Sequence, residues 1–262
     1  MKLDILAFAA HPYDVELSCS GTLLRHKSLG KKIGIVDLTR GEMGTRGTPE
    51  IRLQEADAAS KILQLDAREN LGFEDCFFKD DKEHRLKVVS VIRKYQPEII
   101  LANAVADRHP DHARAAKLIS ESIFLAGLKK AETKFQGEKQ DSWKVKSLYH
   151  YMQEKFIRPD FVIDITEWHE NKMEAIMAYK SQFYNPESKE PDTAISSKEF
   201  LDFLHHFHEA IHLGLGVVKI TTRTGGGFDA EPVHERLRAV MAAAQRHSRL
   251  VRQRHQVLSI TS

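Results

Sequence analysis

Three observations predict an α/β fold, a mostly parallel sheet with helices on both faces. Strand-like apolar runs alternate with helical stretches through the first two-thirds of the 262 residues. Two of those runs, Leu3 to Ala10 and Glu98 to Ala102, read as buried strands. Each is followed by a polar segment built on His-Pro, where open α/β sheets place their sites.

The elements follow in order. Leu3–Ala10 is the first strand, and Val15–Leu29 a helix ending near Gly30. Lys32–Leu38 is the second strand. Thr48 caps a helix with Pro49 at its first position, running to about Leu63. Asn70–Gly72 reads as a short strand or turn, and Asp81–Tyr95 as a helix with Leu86, Val89 and Ile92 at helical spacing. After the strand Glu98–Ala102, Asp111 looks like the N-cap of a helix reaching Phe124. Ser147–Met152 and Phe161–Ile165 are strands, and Trp168–Tyr179 is a helix. Ser196 and Glu199 form a capping box for a helix over Ser197–Leu213. Gln136–Asp141 and Asn185–Asp192 read as loops, Gly225–Gly227 as a loop, and Glu231–Gln256 as a terminal helix.

Composition is that of an ordinary soluble protein, 42% apolar and 29% charged. No window approaches the roughly 18 unbroken apolar residues of a membrane span. The start, Met1-Lys2-Leu3-Asp4, enters a strand at once, with no signal-peptide pattern. Cys19 and Cys76, without metal spacing, suggest a reducing compartment, so a cytoplasmic location is expected. The net charge of +2 is uneven: after Ile220 there are seven Arg, no Lys and three acids, so the tail carries +4 and the body −2. No basic stripe with interleaved aromatics appears in the body, so neither nucleic acid nor membrane is an expected partner. A domain over 1–220 with an atypical Arg-rich extension over 221–262 is the expected organisation.

The two His-Pro segments are Ala10-His11-Pro12-Tyr13-Asp14-Val15-Glu16 and Asp107-Arg108-His109-Pro110-Asp111-His112. Together they offer a His, Asp, His set suited to one Zn²⁺ with a position left open, or to Fe(II) or another divalent ion. His208 and His212 lie four apart on a predicted helix, but no Glu falls in a zincin-like place. The first strand-to-helix turn lacks the glycines of a dinucleotide site. No Gly-x-Ser-x-Gly elbow is present.

These motifs resemble the PIG-L/LmbE-like zinc N-deacetylases. So do Gly41-Glu42-Met43-Gly44-Thr45-Arg46-Gly47 with Arg52 and Glu55, Asn70-Leu71-Gly72, and Lys180-Ser181-Gln182. The resemblance spans roughly residues 1–215. It is nearest the bacterial branch that deacetylates N-acetylglucosaminyl malate in bacillithiol synthesis. It implies a Rossmann-like fold and removal of an N-acetyl group from a small amino-sugar substrate, with homo-oligomerisation left open. By motif, His11, Asp14 and His112 would ligate the metal. His109 would stabilise the oxyanion or protonate the leaving amine, oriented by Asp111. Arg46 and Arg52 would hold sugar hydroxyls or a carboxylate, and Arg108 would close the pocket floor.

One position departs from the pattern. The family's general base is the first acid of His-Pro-Asp-Asp, and Tyr13 stands there. A phenol with a pKa near 10 is protonated at neutral pH and donates instead of accepting. The expected result is a metal-binding protein whose deacetylase activity is lowered by roughly 10²–10⁴. The alternatives are a sugar-binding pseudoenzyme, or recruitment of another acid such as Glu16. The tail departs as well: a terminal strand pair is expected, and the chain reads Gly216-Val217-Val218-Lys219-Ile220-Thr221 before its Arg-rich end.

Overall fold

The computed structural model describes residues 1–155, 157, 159–202, 204 and 215–220, the last segment as backbone. Its main sheet has seven strands. These are β1 (Ile5–Ala9), β2 (Ile33–Thr39), β3 (Ala67–Phe73), β4 (Ile99–Ala102), β7 (Ser147–Tyr151), β8 (Phe161–Asp164) and β9 (Leu215–Ile220). Their order across the sheet is β3-β2-β1-β4-β7-β9-β8. Ile5 of β1 pairs in parallel with Ile33 of β2 on one side and Ile99 of β4 on the other. The chain therefore moves outward from β1 in one direction through β2 and β3, then returns to start the other half at β4. Between the carboxyl ends of β1 and β4 lies the switch point where such sheets open a crevice.

β1 and β2 are buried along their whole lengths. Alternate residues of β1 serve opposite faces. Leu6 and Phe8 pack with Val89 and Ile92 of α4 (Lys82–Tyr95) and with Leu118 and Ile119 of α5 (Pro110–Ala126). Ile5, Ala7 and Ala9 pack with Val15 of α1 (Asp14–Ser18), Leu23 of α2 (Ser20–Ser28) and Ala175 of α6 (His169–Met177). A third cluster joins Ala56 and Ala59 of α3 (Pro49–Ile62) to Met173, Ile176 and Tyr179. No helix among the described residues is long and apolar enough to cross a membrane.

The predicted fold class holds, and so does the Thr48 cap, whose hydroxyl accepts from the Ile51 amide; Asp81, expected as the first helical residue, caps α4 instead. Five other elements differ from expectation. The single helix over Val15–Leu29 is two, broken at Cys19, where the Ser20 hydroxyl donates to the Glu16 carbonyl and competes with the helical ladder. Asn70–Gly72 belongs to a seven-residue strand, β3, whose polar Arg68 and Glu69 hide its strand character. Asp111 does not cap α5: His109 holds the cap position and Pro110 the first turn. Part of the expected Gln136–Asp141 loop pairs, as β5 (Lys134–Phe135) with β6 (Glu138–Lys139). Positive φ at Gln136 and Gly137 turns that hairpin. The cap near Ser196 is supplied by Ser197, which accepts from the Phe200 amide.

The segment around Gly216–Ile220 becomes β9, antiparallel between β7 and β8. The predicted helix beyond residue 204, His205, His206, His208 and His212, Gly225–Gly227, the terminal helix and the whole Arg-rich extension lie outside the described residues.

Candidate metal centre and pocket

The first His-Pro turn leaves β1 and enters α1. Pro12 narrows its path, and Tyr13 takes φ +92°, a left-handed conformation rare for a bulky side chain. This sharp turn sets Asp14 at the start of α1, beneath His11. The Asp14 carboxylate accepts from the His11 amide at 3.0 Å through Oδ2. The second turn leaves β4 at Asn103. Its side-chain Oδ1 accepts from the Ala10 amide at 2.9 Å, and its Nδ2 donates to Asp14 Oδ2 at 3.0 Å. Asn103 thus ties the two turns together. His112 comes in on the first turn of α5.

Three of the expected residues converge. Asp14 Oδ1 lies 3.4 Å from His112 Nε2, and Asp14 Oδ2 lies 3.6 Å from His11 Nδ1. With metal–ligand distances near 2.0–2.1 Å, neighbouring ligands of a tetrahedral cation stand about 3.3 Å apart. The far nitrogen of each imidazole is held by carboxylate. His11 Nε2 faces Asp75 at 3.0 Å and Asp111 at 3.3 Å, and His112 Nδ1 bonds Asp107. Carboxylate on the outer nitrogen, with the inner one turned toward the Asp14 carboxylate, is how ligating histidines are oriented. The residue types suit a divalent cation, with Asp14 placed between the two imidazoles and offering one oxygen to each.

Among the described residues, the groups whose donor atoms all lie within 4.8 Å of one another are His11, His109 and His112, and His11, Asp75 and Asp111; His11, Asp14 and His112 do not form such a group, because Asp14 meets the two rings through different oxygens. In the second group Asp75 and Asp111 already accept from the Met43 and Cys76 amides. They serve His11 from behind.

The electrostatics agree with a site built for positive charge. Burial opposes a charged His112 ring, but Asp14 and Asp107 outweigh it and raise the pKa to about 9. Burial would raise Asp14, yet His112 and His11 hold it well below the usual carboxylate range. Asp75 falls to about 2 because its contacts with His11 exceed its own burial cost. His109 moves the other way: burial, then His11 and His112, push it down. Its Nδ1 accepts from the Asp111 amide, so the neutral ring carries its proton on Nε2 and presents a donor.

A pocket beside these rings is lined by His11, Tyr13, Arg52, Asp75, Cys76 and His109. Tyr13 packs edge-on against Tyr179 and Phe183, with the Arg52 guanidinium 5.3 Å from its ring centre. Burial raises its phenol pKa further, against the pull of Arg52. Arg52 donates to Gln182 at 2.5 Å. The loop before it is glycine at positions 41 and 44 because a Cβ there would meet the guanidinium at 2.1 and 2.3 Å.

Other expected residues sit elsewhere. Arg46 is buried away from the pocket, donating to Ser188 with Glu190 at 3.8 Å. Arg108 is exposed and paired with Glu154, so it closes no floor. The Asp111 carboxylate does not orient His109; it takes Cys76, Arg114 and His11, and only its backbone amide reaches His109. Glu16 is fully buried under Arg68 and Tyr179, which removes it as a base for the pocket. Cys76 lines the pocket, its thiol pushed up by burial and by Asp75 and Asp111. Asp75 and Gln153 had no motif to announce them. Gln153 joins the cluster from beyond β7, 3.2 Å from His112 Nε2.

Known proteins match this architecture. The family model described as GlcNAc-PI de-N-acetylase, PIG-L, matches residues 6–123. A conserved protein of Thermus thermophilus, solved by crystallography, aligns with TM-score 0.73 and 35% identity over 87% of this chain and 98% of that one. Diacetylchitobiose deacetylase of Thermococcus kodakarensis is 29% identical over 68% of this chain and 70% of its own. A 4-oxalmesaconate hydratase of Pseudomonas putida is 27% identical, over 68% and 73%. On this likeness of sequence and fold, the chain belongs to the PIG-L family.

Proposed function

We propose that this chain is a divalent-cation-dependent hydrolase that removes the N-acetyl group from a glucosamine conjugate, slowed by Tyr13. The observation that carries this reading is the Asp14 carboxylate set between two imidazoles, each backed by its own carboxylate, beside a pocket. His11, Asp14 and His112 would hold the cation, zinc by the chemistry of the set. When bound, such a cation polarises an amide carbonyl and lowers the pKa of water to about 7.

The remaining work falls to the chain's own side chains. The neutral His109 ring offers its Nε2–H as a hydrogen-bond donor to the acyl oxygen; protonating the departing amine would require the ring first to gain a proton. The Arg52 guanidinium offers donors to sugar hydroxyls or to a carboxylate. At residue 13 the phenol can donate to the acyl oxygen, but it takes no proton from water at neutral pH. A missing general base lowers the rate by roughly 10²–10⁴. The finer reading is a bacillithiol-type substrate, N-acetylglucosaminyl malate, processed in the cytoplasm. A second reading rests on Tyr13 alone: a pseudoenzyme that binds cation and sugar without turnover.

The test is release of free amine from N-acetylglucosaminyl malate and from N,N′-diacetylchitobiose by the zinc-loaded protein, with a chelated control. Slow turnover that chelation abolishes supports the hydrolase. Saturable sugar binding with no amine released supports the pseudoenzyme. Neither binding nor turnover with any N-acetylglucosamine conjugate overturns both.

A further inference from the structure

Two carboxamides complete the cation site in a way the ligand motif does not require. The backbone fixes their orientations. The Ala10 amide donates to Asn103 Oδ1, so Nδ2 of Asn103 points the other way, at Asp14 Oδ2 (3.0 Å) and Gln153 Oε1 (3.1 Å). The Ala104 amide also donates to Gln153 Oε1, at 3.1 Å. With its oxygen taken twice, Gln153 turns its Nε2 to His112 Nε2 at 3.2 Å. An amide nitrogen can only donate, so in the deprotonated ring, the form able to ligate a cation, His112 Nε2 is the accepting nitrogen. The same nitrogen faces Asp14 Oδ1.

The two contacts have different fates on ligation. Asp14 Oδ2 takes two donors, the His11 amide and Asn103 Nδ2, which leaves Oδ1 as the oxygen free to ligate. That brace persists when Oδ1 binds a cation. The Gln153 contact does not persist, because His112 Nε2 has one lone pair and gives it either to the amide or to the cation.

We propose that Asn103 is a positioning residue that selects Asp14 Oδ1 as the ligand, and that Gln153 is a placeholder holding His112 Nε2 until a cation displaces it. This rests on the cation site proposed above. Asn103, fully buried, holds Asp14 directly and reaches His112 only through Gln153.

The two residues act on affinity with opposite signs. Loss of a partner that orients a ligand costs about 10- to 100-fold in metal affinity. Loss of a hydrogen bond that must break on binding gains about 2- to 10-fold. Zinc affinity is measured by chelator competition on the full chain for wild type, Asn103→Ala and Gln153→Leu, with thermal unfolding of each metal-free protein. The expected result is weaker zinc binding in Asn103→Ala, and tighter zinc binding with a lower metal-free Tm in Gln153→Leu. If Asn103→Ala unfolds, Gln153→Leu decides alone, since a merely structural role would not tighten zinc binding. Unchanged or weakened affinity in Gln153→Leu overturns the placeholder, and unchanged affinity in a folded Asn103→Ala overturns the brace. A wild type that binds no zinc fails the cation site itself and is read separately in the same titration.

Discussion

Replacing Tyr13 by Asp should restore a carboxylate where the turn points a side chain into the pocket. A general base contributes about 10²–10⁴ in rate, or about 3–5 kcal/mol of barrier. The Tyr13 ring makes edge contacts with Tyr179 and Phe183, at 5.9 and 5.6 Å between centres. At about 0.5–1.5 kcal/mol each beyond the ring's own burial, the loss of these contacts alone lowers stability by about 1–3 kcal/mol. Part is recovered because Asp tolerates positive φ better than a bulky residue does, and residue 13 sits at +92°. The assay is amine release from N-acetylglucosaminyl malate by zinc-loaded wild type, Tyr13→Asp and Tyr13→Asn at neutral pH. Tyr13→Asn opens the pocket by the same amount without supplying a base, so the predicted rise is confined to Tyr13→Asp. If Tyr13→Asp is no faster than Tyr13→Asn while both bind zinc like wild type, the missing-base argument is refuted.

Three other perturbations read separate parts of the structure. Lys172 is buried, and burial lowers its pKa to about 8 from 10.5. The folded chain then holds fewer protons than the unfolded one between those values, so stability should rise with pH across that window, by up to about 3 kcal/mol. Lys172→Met should flatten the profile in urea unfolding, and an unchanged slope would show the charge is not what matters. Arg68 bonds Glu16, Asp37 and Tyr179 under α1, so Arg68→Met leaves two buried carboxylates without their cation. The expected loss is about 3–5 kcal/mol in the same assay, and a loss under about 1 kcal/mol would contradict the network's importance. Gly41→Ala places a methyl 2.1 Å from the Arg52 guanidinium at φ +67°, so it should move Arg52 and raise KM about tenfold or more with the metal site intact. An unchanged KM would remove Arg52 from substrate binding.

The site was legible where the chain announces it locally. His11 directly follows a buried strand and precedes Pro12, His112 comes two residues after Pro110 in the turn beyond another, and both strands meet at the switch point because β1 pairs with β2 and β4. What the sequence hides is set by contacts between distant segments. Asp75 reaches His11 from the loop after β3, and Gln153 reaches His112 from the end of β7; neither lies in a patterned stretch. Arg46 and Arg52 are indistinguishable as motif arginines, and only packing separates them: one is spent on Ser188, the other lines the pocket. The same holds for the fold. Arg68 made β3 look too polar for a strand, because its partners Glu16 and Asp37 come from other elements. The break at Cys19 interrupts no apolar period and follows from a hydroxyl choosing a carbonyl.

Anomalous diffraction from zinc-loaded crystals tests the cation site most directly. The expected density is one ion between Asp14, His11 Nδ1 and His112 Nε2. An ion on the other face of His11, among Asp75, Asp111 and Nε2, or no ion at either place, would contradict it.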